Sequence, residues 1–176
     1  MRTLLIGGAR SGKSALAQRW SAERSSDVCT VVTGTETDPE MAARIAAHRR
    51  DRPTHWRVRE EPVHLGAALR EERSGLVLVD CLTLWISNCL WPPALTNAET
   101  DYTLWRRECQ EFLDALQASK LDVIIVTNEV GTGIVPNNAA SRVFRDEQGW
   151  LNQSVAAVCD EVYFVTAGLP LRLKPQ

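Results

Sequence analysis

Short blocks of uninterrupted apolar residues alternate along this chain with longer segments whose apolar positions recur every three or four residues. Residues 76–79 (Leu-Val-Leu-Val) and 123–127 (Val-Ile-Ile-Val-Thr) have almost no polar interruption, the pattern of strands buried on both faces of a sheet. Residues 2–6 form a similar run that stops at Gly7-Gly8, and residues 29–33 form a β-branched one. Helical spacing predicts helices over residues 13–24, 39–50, about 63–73, 82–90, 99–119, and from beyond Pro136 to about Cys159. Asp38 can cap the second of these, Pro39 suits its first turn, and Arg52-Pro53 ends it. In residues 99–119, Tyr102, Trp105, Cys109, Phe112, Leu113 and Leu116 make one stripe, read as core. Residues 91–100 and 131–136 read as loops, a short stretch at residues 56–58 leads to the third helix, and residues 161–165 and 171–173 close the chain as short strands. Strands alternating with helices predict an α/β fold with a mainly parallel sheet, in one domain spanning residues 1–176.

Charge and composition narrow the function without naming it. Twenty Lys and Arg stand against 22 Asp and Glu, a net charge of -2, which disfavours a broad basic face for nucleic acid or a membrane surface. No apolar run approaches the roughly 20 residues that span a bilayer, and the first residues do not resemble a signal peptide. The five cysteines, Cys29, Cys81, Cys89, Cys109 and Cys159, show no C-x-x-C pair, which points to buried thiols and a cytoplasmic setting. His48, His55 and His64 are too scattered to suggest a metal site by themselves.

Chemistry enters at Gly7, Gly8, Ala9, Arg10, Ser11, Gly12, Lys13 and Ser14, which satisfy G-x-x-x-x-G-K-[ST] between a predicted strand and a predicted helix. Glycines at this spacing let backbone N–H groups wrap a phosphate, and the helix N-terminus adds favourable electrostatics. Lys13 is expected to reach the β- and γ-phosphates and Ser14 to ligate Mg²⁺. Asp80, at the end of a buried strand, is the candidate second metal ligand. Thr33, Gly34 and Thr35 follow the second strand, where this class of fold places ligand-contacting loops.

The same phosphate loop resembles that of the bifunctional adenosylcobinamide kinase/adenosylcobinamide-phosphate guanylyltransferases of cobalamin biosynthesis. Three further blocks carry the resemblance: Glu40-Met41-Ala42-Ala43-Arg44-Ile45 with His48-Arg49 and Arg52-Pro53; Asp80-Cys81-Leu82-Thr83 with Ser87-Asn88; and the run from Thr127 to Pro136, continued by Arg142, Phe144-Arg145-Asp146, Gly149 and Asn152-Gln153. Together they cover nearly the whole chain. The resemblance implies a three-layer, RecA-like phosphate-loop fold and two reactions. In one, ATP or GTP phosphorylates a hydroxyl of adenosylcobinamide; in the other, GMP moves from GTP onto adenosylcobinamide phosphate, giving adenosyl-GDP-cobinamide and pyrophosphate. It implies a guanylyl group carried on His48, nucleotide contacts at Arg49, Arg50, Asp51, Arg52 and Glu60, and a homotrimer.

Elementary chemistry is compatible with that role for His48. A largely neutral imidazole attacks phosphorus without a separate base, and its phosphoramidate passes GMP onward. The arginines beside it can neutralise charge on departing pyrophosphate. Glu60 can accept hydrogen bonds from guanine N1 and N2 or from a ribose. The block from Thr127 to Pro136 has glycines that suit a close approach by corrinoid, nucleotide or a neighbouring subunit, and the residues do not choose. Two departures from the family pattern stand out. Val58 replaces the threonine of Trp-x-Thr-x-Glu, and the short C-terminal segment leaves its strand as a bare edge or under another subunit. Competing readings are a small-molecule kinase without the transferase half and a GTP-binding regulatory module.

Overall fold

The apolar blocks become neighbouring strands of one sheet. The computed structural model describes residues 1–35, 39–50, 52–92 and 100–174, without the side chains of residues 40, 41, 44, 47 and 48. Asp38, named above as a cap, lies outside the described residues, as does most of the 91–100 loop. In chain order the elements are β1 (Arg2–Gly7), α1 (Lys13–Arg24), β2 (Val28–Val32), α2 (Pro39–Arg50), β3 (Arg57–Glu60), α3 (Leu65–Glu71), β4 (Leu76–Asp80), α4 (Leu82–Leu90), α5 (Tyr102–Ala118), β5 (Asp122–Asn128), α6 (Ala139–Val158), β6 (Glu161–Thr166) and β7 (Leu169–Lys174).

The sheet runs β3-β2-β4-β5-β1-β6-β7. All neighbours pair parallel except β6 with β7, which form an antiparallel hairpin. Parallel neighbours need long crossovers, and the helices supply them. Because β5 lies between β1 and β4, the loops after these three strands share one edge of the sheet. Open α/β sheets bind ligands outside the carboxyl ends of their strands.

Alternation along each strand divides the core into two layers. Leu5, Leu76, Leu78, Ile124 and Val126 face α1, where Leu16 and Ala17 meet them. Leu4, Val77, Val79, Val123 and Ile125 face the other way, onto Trp85 and Ile86 of α4, Phe112 and Leu116 of α5, and Leu151 and Val155 of α6. Trp85 organises this second layer. It is fully buried, its ring meets Trp105 and Phe112 edge-on at centroid distances of 5.3 and 5.2 Å, and its Nε1 donates to the Val63 carbonyl. The predicted stripe on α5 is therefore core at Trp105, Phe112 and Leu116, partly buried at Cys109 and Leu113, and exposed at Tyr102.

Helix ends follow local chemistry. Asp101 caps α5 by accepting from the Leu104 amide, and Asn138 caps α6 by accepting from Ser141. Glu61 accepts from the amides of Val63 and His64, and α3 begins at Leu65, later than the spacing suggested. Residues 57–60 form an edge strand although every side chain there is at least partly exposed, because β2 supplies the pairing. Arg57 pairs with Asp27 and Glu72, and Arg59 with Glu71, pinning that edge.

Candidate functional site

The phosphate loop leaves the sheet at Gly7, where an added Cβ would lie 2.4 Å from the Val165 carbonyl oxygen of β6. Only a glycine lets the two strands run this close at the loop's entrance. The loop then turns through positive φ at Arg10 (57°) and Gly12 (93°) into α1. Gly12 occupies the N-cap with no side-chain cap, so the first amides of α1 remain available to an anion. Lys13 is 8% exposed, and its Nζ donates to the Gly8 carbonyl at 3.0 Å, folding back over the loop. Burial lowers the Lys13 pKa, while Cys81 and Asp80 pull it back up. The Ser11 hydroxyl is buried without a partner.

A support that the sequence did not suggest comes from the β6–β7 turn. Ala167 and Gly168 both have positive φ, 51° and 77°, and the Gly168 amide donates to the Ser11 carbonyl at 2.8 Å. A Cβ on Gly12 would come within 2.9 Å of Gly168 Cα. The hairpin tip thus props the loop from behind. Sequence alone held only the Ala-Gly pair as a signal, a pair that many hairpins carry.

Asp80 ends β4, level with Val32 of β2 and Val126 of β5. It lies on the same face as Leu76 and Leu78, which is the face of α1 and Lys13. Thr33 locks this end of the sheet. Its amide donates to the Asp80 carbonyl, its hydroxyl donates to the Cys81 carbonyl and accepts from the Cys81 amide, and its carbonyl accepts from Asn88. Expected as a nucleotide contact, Thr33 is fully buried with its polar groups engaged inside the protein. Gly34 packs near Leu84 of α4 and Ile45 of α2, and Thr35 follows it half-buried.

A second cluster of cationic side chains lies at the β3 edge of the sheet. Arg49, Arg52, Trp56, Val58 and Glu60 line a cavity of about 450 Å³ at the β3 edge. Arg49 Nη2 donates to Glu60 Oε1 at 2.6 Å, bringing together two residues the sequence had singled out separately. Arg52 is 7% exposed with its Nε buried and unpartnered, and the Trp56 indole N–H nearby is also buried without a partner. Burial lowers the Arg52 pKa, Asp80 raises it and Arg49 lowers it further, so Asp80 lies in the field of both Arg52 and Lys13. Val58, the departure from threonine, is half exposed on this wall and presents an apolar surface. Arg50 is exposed at the end of α2. His48 belongs to α2, its side chain outside the described set, and Asp51 lies outside the described residues. His55 is exposed, and His64 Nδ1 faces the buried Glu108 at 3.1 Å on the α3–α5 side.

At the end of β5 is a buried polar network that spacing did not predict. The Thr127 hydroxyl donates to Asn152 Oδ1, Gln148 Nε2 donates to both Thr127 Oγ1 and Asn152 Oδ1, and Asn152 Nδ2 donates to the Asn128 carbonyl. The Asn128 amide donates to Thr83 Oγ1 of α4. The Glu129 amide donates to the Gly7 carbonyl, tying this loop to the phosphate loop.

The chain is similar to known proteins over nearly its whole length. A family model described as cobinamide kinase / cobinamide phosphate guanyltransferase matches residues 3–173. The bifunctional adenosylcobalamin biosynthesis protein CobP of Pseudomonas aeruginosa is 46% identical over 178 residues, covering 99% of this chain and 98% of that one. The bifunctional adenosylcobalamin biosynthesis protein CobU of Escherichia coli is 38% identical over 182 residues, covering 99% and 100%. Among solved structures, a prototypical ATPase from a bacterial type III secretion system superposes with a TM-score of 0.55 at 10% identity, over 97% of this chain and 56% of that one. That likeness shows the fold alone.

Proposed function

The chain belongs to the cobinamide kinase / cobinamide phosphate guanyltransferase family, and from that premise we propose how its residues divide two reactions. It is a bifunctional enzyme of cobalamin biosynthesis that phosphorylates adenosylcobinamide and then guanylylates the product. In the first reaction the phosphate loop holds ATP or GTP, with Lys13 at the β- and γ-phosphates and the α1 amides around them. In the second, a His48 ring nitrogen bonds the α-phosphorus of GTP and pyrophosphate departs. A phosphate oxygen of adenosylcobinamide phosphate then bonds the same phosphorus and frees His48, yielding adenosyl-GDP-cobinamide. Arg49, Arg50 and Arg52 offset charge on the triphosphate and pyrophosphate, and Glu60 serves the guanine or ribose.

The observation that carries this reading is that Glu60, Val32 and Asp80 stand level on neighbouring strands, which sets the Arg52 cavity at the same end of the sheet as the Lys13 loop, with Asp80 in the field of both cations. Buried, unpartnered N–H groups on Arg52 and Trp56 suit the acceptor atoms of a base or phosphate.

Among the described residues no group of three or more His, Cys, Asp or Glu could hold a metal ion. One hydroxyl, Ser14, and one carboxylate, Asp80, fit Mg²⁺ nevertheless, because that ion is usually held by one or two carboxylates with water and substrate phosphates. Bound there, Mg²⁺ would supply charge neutralisation at the phosphates. Two further assignments are part of the reading. The exposed leucines of edge strand β7 support a homo-oligomer, proposed as the trimer of the family resemblance. Five unpaired cysteines support a cytoplasmic setting, and the net charge of -2 argues against a nucleic-acid partner. No described helix is long and apolar enough to cross a membrane.

The test is incubation with Mg²⁺ and GTP labelled at the α-phosphate. Wild type retains an acid-labile covalent label and His48→Ala does not. Absence of label on wild type, with adenosylcobinamide still phosphorylated, would leave the kinase alone standing.

A further inference from the structure

The block from Thr127 to Pro136 has no role in the scheme above, and its strand position suggests one. Gly7 of β1 pairs in register with Asn128 of β5, and Asp80 of β4 pairs with Val126. Asn128 therefore stands level with the entrance of the phosphate loop, on the strand between that loop and Asp80. Two residues of strand put it roughly 6–7 Å further along the sheet than Asp80. Side chains alternate, and Ile124 and Val126 belong to the layer that packs on α1. Asn128 thus projects to that same face, the one carrying Lys13 and Asp80, while Thr127 turns to the opposite layer and joins Asn152 and Gln148.

The backbone at this position is held tightly and the side chain is not. The Asn128 N–H is fixed by Thr83 at 2.9 Å and its carbonyl by Asn152 at 3.0 Å. Glu129 is fixed to Gly7 at 3.1 Å. Yet Asn128 Oδ1 is buried with no hydrogen-bond partner. Buried polar atoms in folded proteins are nearly always paired, and an exception calls for an explanation such as a missing ligand. A carboxamide carries two N–H donors and a carbonyl acceptor, and the two ends exchange by rotation about one bond. It can donate to a phosphoryl oxygen and accept from a hydroxyl at once.

We propose that Asn128 is a catalytic residue of the phosphoryl-transfer step, its amide bridging the transferring γ-phosphoryl group and the attacking hydroxyl of the corrinoid substrate. This rests on the kinase reading above. The hydroxyl oxygen bonds the γ-phosphorus as the bond to the β,γ-bridging oxygen breaks. The electron pair leaves on the nucleoside diphosphate and the hydroxyl proton passes to solvent water. Asn128 holds the two reacting groups in line; Thr83 and Asn152 hold the Asn128 backbone and Gln148 holds Asn152, as positioning residues.

The experiment compares wild type, Asn128→Ala and Asn128→Asp as full-length protein, measuring adenosylcobinamide phosphorylation by ATP, α-label uptake from GTP, and unfolding midpoint. The expected result is a fall in kcat of about 100-fold for Ala, the scale of losing one donor to a transition state, and a larger fall for Asp, whose charge repels the phosphoryl group. The KM for ATP stays within about threefold, and α-label uptake falls at least about tenfold less than phosphorylation does, because the loss is confined to one transition state. Rates within about threefold of wild type in both variants would overturn the proposal. So would equal losses in both reactions with a lowered midpoint, the mark of a purely structural residue. Asn128→Asp keeps the side-chain size, so it still decides the matter if Asn128→Ala fails to fold. A wild type that phosphorylates no corrinoid would remove the kinase reading as well, which separates the two failures.

Discussion

At Lys13, burial and charge pull in opposite directions. Burial lowers its pKa and the neighbouring Cys81 and Asp80 only partly offset that. In the window between its lowered value and the ordinary lysine value of about 10.4, the unfolded chain holds a proton that the folded chain has lost. This group alone therefore adds stability to the ligand-free protein as pH rises through the window. A polyphosphate requires the charged ammonium, so nucleotide affinity falls over the same window. Calorimetry of nucleotide binding as pH rises toward the ordinary lysine value of about 10.4 should show weakening affinity with proton uptake; affinity flat with pH and no uptake would contradict the assignment. Lys13→Ala should lower phosphoryl transfer by about 100-fold or more while leaving the fold intact by circular dichroism. The cysteines make a second residue-scale case. Burial pushes the Cys29, Cys81 and Cys109 thiols to about 11 and Cys159 to about 12, and raises Cys89 as well. Alkylation by iodoacetamide at neutral pH should be slow in native protein and rapid once it is unfolded, because the thiolate is the nucleophile.

Between elements, the least expected contact is the hairpin tip behind the phosphate loop. A two-residue turn with both φ values positive is the type I′ connection, which favours Asn-Gly, whereas this chain has Ala167-Gly168. Gly168→Ala meets no atom within 4 Å, so its cost is conformational, about 1–2 kcal/mol for left-handed backbone on a residue with Cβ. Because Gly168 holds Ser11, the same substitution should weaken nucleotide binding. Ala167→Asn should act in the other direction, raising stability by about 0.5 kcal/mol or more without touching the loop. Denaturant midpoints for the two variants would check the opposed signs. Trp85 joins α4 to α5 and to the Val63 carbonyl, and Trp85→Ala should cost about 3–5 kcal/mol in the same assay.

For the whole molecule, the more apolar of the two described sheet edges is β7. Leu169, Leu171 and Leu173 alternate along it and are 70%, 61% and 55% exposed. Edge strands with apolar side chains are templates for pairing, and natural sheets blunt them with charge or cover them. If copies of this chain cover β7, Leu171→Lys should shift the protein toward monomer in light scattering coupled to gel filtration, with its unfolding midpoint little changed at matched concentration. An unaltered oligomer would place the subunit contact elsewhere. The opposite edge is guarded already, since Arg57 and Arg59 of β3 are paired with Asp27, Glu72 and Glu71.

Much of this was written locally. The buried strands, the phosphate loop from Gly7 to Ser14 and Asp80 at a strand end were legible because each rests on periodicity, glycine chemistry or a strand's last residue. What stayed hidden depends on partners distant in the chain. Residues 57–60 have no strand pattern and become one only beside β2. Thr33, expected to touch nucleotide, also ties Asp80 to β2, a contact that its own neighbourhood could not reveal. Gly168 reaches Ser11 across more than 150 residues of chain, and Asp80, Lys13 and Arg52 share one field though no motif spans them. The amino-acid sequence by itself determined the buried strands and most of the helices, the phosphate-loop motif and the family to which the chain belongs, because these follow from backbone sterics, burial pattern and motif. Only the tertiary structure decided which side chains converge. Strand order set Asn128 between Gly7 and Asp80, and alternation on a shared sheet turned all these groups toward one face.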